Sequence, residues 1–510
     1  MKIFTCLLVL FSLAGKAQPQ TDSLQTKILQ PTDMQADFRY LRRLLEETHP
    51  GLYRYTPRAV MQAKLDSIAT TLNQPLPFYT FFGTVAALIA DIRCAHTHAL
   101  PTKEWQKQYA SHWKTLPFFM YPIQNKYYVI FNGTADQTVE PGFELVSING
   151  QNMAQIRPTL LRYHWSDGYI QTAKEAALQG QLFALFYYWF IGQPDTYQLT
   201  FKNLTGDTVR MEAPAKPFGT WVRTAMKNPV NKQMLAWYNK KKPKQSWRLS
   251  FPNDVAQTAY LRLDGFSGEG ATDAQTAATR FRKFMDESLA KMAKKQARHL
   301  IIDLRDNAGG WDIQGVELFT YLMKSDTAVR YYRRHHTITD SSEFLQFSDI
   351  PVSVLKTIKQ QLIPEKDGTF TEKEDDDSPE LKPQLPKPKR FKGQVYMLMN
   401  GKSGSTTSEF LAVAHANQIG VFVGEESGGA YEGGNSGSFI NLELPHSKID
   451  VTTPLVYYTN AVGKAHQTGR GTMPDHTVPT RPDAILKNTD TKLDFVKRLI
   501  REKASESTHQ

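Results

Sequence analysis

A buried strand, a glycine-containing turn and a helix follow one another twice in this sequence, and this pattern restricts the fold more than any other feature. The first copy has a buried-strand pattern at 299–304, HLIIDL, and a turn ending in Gly309-Gly310; the second has an apolar run at 395–399 and a helical pattern from Thr406 onward. Runs this short suit buried parallel strands rather than helices. Repeated βα units form a parallel sheet that holds ligands at the carboxyl ends of its strands. Both turns are therefore predicted to lie at one edge of a single sheet.

The second turn places Ser405 immediately before a helix. Thr406-Thr407-Ser408-Glu409 fits a capping box, and Gly420 is the predicted helix stop. The unpaired N–H groups of a first helical turn favour nearby negative charge. An acyl-transfer nucleophile needs such a place, because an oxyanion forms beside it. Serines and threonines that only cap a helix explain the same letters, so this stretch alone leaves both interpretations open.

The first 17 residues have the composition of a secretory signal peptide. One basic residue precedes an apolar run at 3–14, and small residues allow cleavage after Ala17. We expect an exported protein, periplasmic or extracellular, and not an integral membrane protein, because no other segment has about 20 apolar residues. Cys6 would leave with the signal peptide, and Cys94 alone cannot form an internal disulfide. Stability must then come from an ordinary hydrophobic core.

Composition excludes some classes of protein. The 510 residues are 41% hydrophobic, enough for two or three domains, and the net charge of +11 is moderate at this length. There is no zinc-finger spacing and no ladder of basic and aromatic residues, so nucleic acid is not an expected partner. The basic patch at 240–244 is interpreted as a solvated surface turn. Nothing in the sequence demands a metal or an organic cofactor.

Changes in pattern along the chain predict its organisation. Helical periodicity gives way to strands, then to a mixed aromatic stretch, and then to the βα units. One segment rich in acidic residues, proline and lysine cannot bury a core and is predicted to be exposed. The predicted divisions are a helical N-terminal domain at 22–112, a small β module at 113–165, a mixed connecting region at 166–249, and an α/β domain at 250–500 with an exposed insertion at 364–392.

Two histidines follow the third predicted helix. His96 and His98 stand in a helix-to-strand connection, where polar side chains often carry chemistry. A solvated or core histidine without a chemical role accounts equally well for His96, and better for His98. The position alone does not decide between them.

Four segments, in this order and spacing, resemble peptidase family S41, which includes the tail-specific proteases and the tricorn core protease. They are IIDLRDNAGG, SGSTTSEF, GEESGG and GRGTMPDHTV, and the resemblance covers about 250–500. The resemblance implies an α/β fold with a mainly parallel sheet of ClpP/crotonase-like ββα units. It also implies a serine endopeptidase acting on polypeptide substrates. PGFELVSINGQ resembles the end of a PDZ domain, so the β module is predicted to be PDZ-like, and DIRCAHTH resembles a DGHT-type segment of exported bacterial members.

The resemblance also assigns the reacting groups. Ser405 aligns with the family's nucleophile. In the tail-specific branch a lysine 25 residues later is the general base, but that position is Ala430 here, and Lys448 and Lys464 would be poor substitutes. The tricorn-like branch uses a histidine, and His96 matches its motif position. An imidazole that titrates near neutral pH can take the serine proton and return it to the leaving amine.

The backbone around the two turns completes the predicted site. The oxyanion hole is expected to consist of the N–H of Thr406 and an N–H from the Gly309-Gly310 turn. Gly429 and Ala430 are expected to contact the substrate. This arrangement requires the two turns to be adjacent.

Two alternatives compete with this interpretation. GNSGS at 434–438, paired with His96, resembles the serine loop of chymotrypsin-like proteases, but those folds are all-β and the long helical patterns contradict them. The second alternative is a catalytically inactive S41-like protein that binds peptides at its PDZ-like part and at exposed sheet edges. The absent lysine favours it, as does the absence of a carboxylate near Thr468, where the acid that orients the histidine is expected.

Overall fold

A computed structural model of the chain describes residues 23–241, 245–376, 378–463 and 468–506. The predicted signal peptide at 1–17 lies outside the described residues. Within them, three six-stranded sheets form the framework. Among the helices described, none combines the length and apolar character that crossing a bilayer requires.

The N-terminal region is helical. In its first long helix Met34, Phe38, Leu41 and Leu45 are all buried, as the helical spacing predicts. The last long helix, Phe78–Ile92, is apolar on most of its surface and buries nine of its residues. The helices and short strands here are Ser23–Thr26, Ile28–Leu29, Pro31–Thr48, Arg58–Thr71, Leu76–Pro77, Phe78–Ile92 and Lys103–Gln108.

The middle sheet is antiparallel and continues past residue 165. Strand Thr196–Lys202 pairs with Glu144–Ile148, so the connecting region completes the sheet that begins in the β module. Its strands are Phe118–Ile123, Lys126–Asn132, Glu144–Ile148, Gln151–Asn152, Thr196–Lys202 and Thr208–Pro214. The other elements of this region are Lys114–Thr115, Met153–Arg162, Gln171–Ala177, Gln181–Phe190, Lys216–Pro217, Phe218–Lys227, Pro229–Asn231 and Lys232–Lys241.

The predicted mainly parallel sheet is confirmed. Its central strands pair in parallel with Ile301 opposite Tyr396, and only the edge strand Trp247–Ser250 is antiparallel. In order across the sheet the strands are Trp247–Ser250, Thr258–Leu263, His299–Asp303, Gln394–Met399, Val421–Gly424 and His476–Thr477. The helices around it are Ala274–Lys294, Asp312–Thr320, Thr406–Ala416, Pro482–Lys487 and Thr491–Glu506. Side chains from both faces form its own hydrophobic core.

The third sheet is antiparallel and joins the N-terminal region to the α/β domain. Strand His98–Leu100 pairs with Asp450–Asn460. The insertion at 364–392 is only partly exposed, because it contributes strand Phe370–Glu372 and buries Leu381. The strands are Leu362–Pro364, Phe370–Glu372, Tyr332–Thr337, Asp450–Asn460, Gly433–Glu443 and His98–Leu100. Shorter elements nearby are Val329–Arg330, Glu343–Phe347, Val352–Gln361, Pro379–Leu381 and Pro383–Gln384.

Candidate active site

Ser405 lies at a sharp turn between the strand Gln394–Met399 and the helix Thr406–Ala416. Its backbone has φ 52° and ψ −134°, a conformation that L-residues rarely adopt. Ser403 fixes the turn, because its hydroxyl donates to the carbonyl of Leu304 at 2.9 Å and accepts from the N–H of Asn400 at 3.1 Å. A serine held in a strained conformation by its surroundings is typical of functional sites.

The predicted capping box is wrong, although the helix does begin at Thr406. Ser405 takes the N-cap position and makes no side-chain capping bond. Glu409 lies one residue too far along the helix to cap it, and its Oε2 instead accepts a hydrogen bond from the Tyr332 hydroxyl at 2.5 Å. The Ser408 hydroxyl donates to the carbonyl of Ser405 at 2.7 Å, so it also points back along its helix.

His96 reaches Ser405 from the N-terminal region. The two residues are 309 positions apart, and His96 Nε2 lies 3.3 Å from Ser405 Oγ. Burial lowers the pKa of His96, while the Asp167 carboxylate and the Asn435 backbone oppose that shift. Nδ1 is buried and forms no hydrogen bond in the part of the chain that the structure covers. Nε2 is thus the ring nitrogen in position to exchange a proton with the serine.

His98 does not contribute to this pair. Its ring stacks on Trp165 at a centroid distance of 5.2 Å. Burial lowers its pKa to about 4, so the ring is neutral near pH 7. This agrees with the interpretation of His98 as a core residue.

Asp167 is the residue of this site that the sequence did not reveal. Its buried carboxylate accepts hydrogen bonds from the N–H of Ala95 at 2.7 Å and from the N–H of Ala430 at 3.4 Å. Burial raises the pKa of Asp167, and His96 and the two N–H groups oppose that rise. Because Ala95 directly precedes His96, the carboxylate both fixes the backbone that carries the imidazole and supplies negative charge near it.

The loop that carries Asp167 is clamped from both sides. Gly168 N–H donates to the carbonyl of Arg93 at 3.0 Å, and Tyr169 N–H donates to the carbonyl of Gly469 at 2.7 Å. A Cβ on Gly168 would lie 2.2 Å from the carbonyl oxygen of Gly469. The chain therefore passes too closely here for a side chain, and the short Ser-Asp-Gly stretch has no periodicity from which this position could be inferred.

Lys448 and the residue at the predicted acid position, Thr468, do not enter the site. Thr468 is exposed, and 464–467, which include Lys464, lie outside the described residues. Lys448 is exposed in a turn of positive φ after the strand Gly433–Glu443, beside Lys27. Ser436 lies on that strand, and within the described residues the hydrogen-bond partner of His96 Nε2 is Ser405 rather than Ser436.

The two βα turns are adjacent. A Cβ built on Gly309 would lie 2.7 Å from the Cβ of Ser405 and 3.0 Å from the Thr406 nitrogen. The Gly309 N–H already donates to Asn307 Oδ1 at 2.9 Å. The N–H groups of Gly310 and Thr406 have no acceptor among the described residues, and Thr406 Oγ1 ties the turns together by donating to the Gly310 carbonyl at 2.8 Å. Of the two glycine N–H groups, only that of Gly310 is available to an oxyanion.

Gly429 and Ala430 lie on the Asp167 side of the site. A Cβ on Gly429 would meet the Ser408 hydroxyl at 2.1 Å, so the backbone packs directly against the helix Thr406–Ala416. The open side of Ser405 faces a continuous cavity that also borders His96, Gly310 and Phe439. This cavity provides room for an extended chain beside the hydroxyl.

Comparison with known proteins identifies the domain. The sequence model described as peptidase family S41 matches residues 257–478. The crystal structure of mature CPAF is similar over 92% of this chain and 97% of its own, with 15% identity and a TM-score of 0.58. Mature CPAF complexed with lactacystin matches over 92% and 98%, with 14% identity and a TM-score of 0.58. At this identity these structures show a shared fold. No curated protein sequence matches the chain.

The match to peptidase family S41 confirms the resemblance drawn from the four sequence segments. The matched region contains all four: IIDLRDNAGG, SGSTTSEF, GEESGG and GRGTMPDHTV. The fold supports the same assignment, with a mainly parallel sheet in an α/β domain. Residues 257–478 of the chain therefore match peptidase family S41, and the α/β domain they form has the fold of the matched structures.

Proposed function

We propose that this chain is an exported endopeptidase in which Ser405 is the nucleophile and His96 its general base. The observation that carries the proposal is the 3.3 Å approach of His96 Nε2 to Ser405 Oγ. Side chains 309 positions apart in the sequence meet there, at a strained turn on the carboxyl edge of the parallel sheet. A nucleophile within hydrogen-bond reach of a base that other groups orient is the arrangement acyl transfer requires.

Peptide hydrolysis would follow in two steps. Ser405 Oγ attacks the carbonyl carbon of the scissile bond while His96 Nε2 takes its proton, and the N–H groups of Thr406 and Gly310 bind the oxyanion. The C–N bond breaks as His96 returns the proton to the leaving amine. Water then attacks the acyl-enzyme with His96 as base, which releases the acid and restores the Ser405 hydroxyl.

Asp167 supplies the negative charge that the imidazole needs. Proton transfer turns buried His96 into a cation, which burial alone disfavours, and Asp167 offsets this cost. We assign Asp167 the role of orienting and electrostatically supporting His96. This support replaces the acid that the resemblance places near Thr468.

The β module would help to select polypeptide substrates. Strands Phe118–Ile123 and Thr208–Pro214 are the two ends of the middle sheet's main strand order. An extended peptide can add to such an edge through main-chain hydrogen bonds. If the module is PDZ-like, peptides with a free C-terminal carboxylate should bind it, and equal binding of amidated peptides would contradict that role.

A fluorophosphonate probe tests the nucleophile directly. We expect one label per chain, located on Ser405 by mass spectrometry, and Ser405→Ala should lose both labelling and about 10⁶-fold of the hydrolysis rate. Its melting temperature should stay near that of the native protein. Lactacystin, which mature CPAF binds, is a second probe to try.

Ser436→Ala is the matched control, since Ser436 is the serine of the chymotrypsin-like alternative and should keep its labelling. A label on Ser403, Ser408 or Ser436 would overturn the assignment. A natively folded protein that neither labels nor hydrolyses peptides would favour the inactive, peptide-binding alternative. Export is tested by N-terminal sequencing, which should begin after Ala17.

A further inference from the structure

A second cluster of titratable side chains lies behind the helix that follows Ser405. His335 comes from strand Tyr332–Thr337, Glu372 ends strand Phe370–Glu372, and Glu380 belongs to the 3₁₀ helix Pro379–Leu381. One nitrogen or carboxylate oxygen from each lies within 4.8 Å of the others. His335 Nδ1 is 3.0 Å from Glu372 Oε2. Three elements thus bring metal-ligating atoms to one point.

The cluster carries more negative charge than its neighbours balance. Glu372 and Glu380 are both partly buried, and the carboxylate of Asp312 lies near enough to repel Glu380. His335 pairs with Glu372, and no side chain in the described ranges forms an ion pair or hydrogen bond with the Glu380 carboxylate. An unpaired, partly buried carboxylate beside another carboxylate is costly unless it is protonated or binds a metal.

The histidine is held rigidly, with Nδ1 as the ring nitrogen that faces Glu372. Only 2% of His335 is exposed, and its ring stacks on Tyr458 at a centroid distance of 3.9 Å. Tyr332 packs against its edge at 4.8 Å. Nε2 is fully buried and has no hydrogen-bond partner within the covered part of the chain. A fixed imidazole beside two carboxylates costs little reorganisation when an ion binds.

The donor set selects the ion. One imidazole nitrogen and two carboxylate oxygens match a three-ligand zinc site that keeps a position for water. Calcium and magnesium prefer oxygen ligands only. We propose that His335, Glu372 and Glu380 bind a zinc ion that fastens the insertion at 364–392 to the third sheet.

Such an ion would hold the insertion in place. Through the contact between Tyr332 and Glu409 it would also affect the helix Thr406–Ala416. His335 shares its strand with Tyr332, whose hydroxyl holds Glu409 in the first turns of the helix Thr406–Ala416. Zinc at His335 would therefore stiffen the support of that helix from the side opposite the substrate. The ion takes no part in the hydrolysis, so zinc binding can be tested independently of the proposed peptidase activity.

Zinc titration of the full-length chain, freed of metal with a chelator, tests the proposal. The Ser405→Ala background prevents self-cleavage during the measurement. We expect one Zn²⁺ per chain by calorimetry, a raised melting temperature, and slower tryptic cleavage within 364–392. Glu380→Gln and Glu372→Gln should each weaken binding by at least about tenfold, the loss typical of even an outer-shell change.

The controls separate a lost ligand from a lost fold. His336→Gln alters the neighbouring histidine, which packs on Tyr457, and should bind zinc as the parent does. Without metal, Glu380→Gln should melt no lower than the parent, because it removes repulsion. Absence of saturable binding at one equivalent, or binding that Glu380→Gln leaves unchanged, would overturn the proposal. Equal binding of Ca²⁺ or Mg²⁺ would overturn the choice of zinc.

Discussion

The two strand-to-helix turns of the parallel sheet have the same position in their βα units but opposite chemistry. Both use positive φ angles: 97° at Gly309 and 147° at Gly310 in the first turn, and 52° at Ser405 in the second. Glycine adopts such angles without steric cost. A serine there costs on the order of 1–3 kcal/mol, which points to a functional role for its hydroxyl.

The first turn has no room for side chains at its two glycines. A Cβ on Gly310 would lie 2.0 Å from the carbonyl oxygen of Phe266, and one on Gly309 would meet Ser405. That turn can therefore offer backbone N–H groups only, while the second turn offers a side chain. The two turns are complementary under the proposed mechanism, because the glycine turn brings a backbone donor close to the position where attack by Ser405 would build negative charge.

The largest effect should come from replacing His96, the proposed general base of Ser405. His96→Gln should lower kcat/KM by about 10⁶-fold, as loss of a nucleophile's base does in related chemistry. The measurement is peptide hydrolysis in the full-length protein. His98→Gln is the control and should change the rate little, since its ring stacks on Trp165. A severe loss in Lys448→Ala with a mild one in His96→Gln would contradict the assignment.

Asp167→Asn should have the next largest effect, about 10⁴-fold in kcat by analogy with other orienting aspartates. The pH profile separates this role from a structural one. Hydrolysis needs neutral His96, so the rate falls as the pH drops through the pKa of His96, which burial already holds below its usual 6.5. Asp167 raises that pKa, and removing its charge should move the acid limb of kcat/KM to lower pH. An unmoved or upward-shifted limb would refute the electrostatic role.

Gly309→Ala should lower kcat by about 10²–10³-fold, which is the effect of losing one oxyanion donor. The new methyl group would push the glycine turn away from Ser405 and Thr406. KM should change less than kcat. Gly265→Ala provides the matched control, since its Cβ would meet nothing closer than 3.8 Å. If both variants behave alike, closeness of the two turns is not what matters.

The smallest effect concerns stability. Ser405→Gly and Ser405→Ala both remove the nucleophile, but only glycine relieves the strain of φ 52°. We expect Ser405→Gly to be more stable than Ser405→Ala, with a free energy of unfolding about 1 kcal/mol higher. Urea titration of the two inactive variants measures the difference. Equal midpoints would show that the turn stores no strain.

The βα units could be predicted because their signals are local. A fully apolar run of five residues followed by glycines specifies a buried strand and its turn, and Ser405 follows from its place before the helix. Glu409 misled the prediction, because a capping-box pattern cannot show that Tyr332, 77 residues earlier, competes for the carboxylate.

Asp167 could not be predicted for a related reason. It lies 72 residues from Ala95 and 263 from Ala430, and only packing brings those backbone groups to its carboxylate. The extension of the middle sheet to Thr208–Pro214 depends likewise on pairing between distant strands. Contacts of this range leave no periodicity in the sequence.

Strand His98–Leu100, which pairs with Asp450–Asn460, sets the order in which the molecule can become active. During synthesis from the amino terminus, His96 is made early. The strand Asp450–Asn460, which pairs with the strand after His96, is made some 350 residues later. Closing so long a loop is entropically costly and comes late in folding. If the chain is an exported peptidase as proposed, a chain still being made or threaded through a membrane pore lacks the assembled pair of Ser405 and His96, and this delay would protect the export machinery from cleavage.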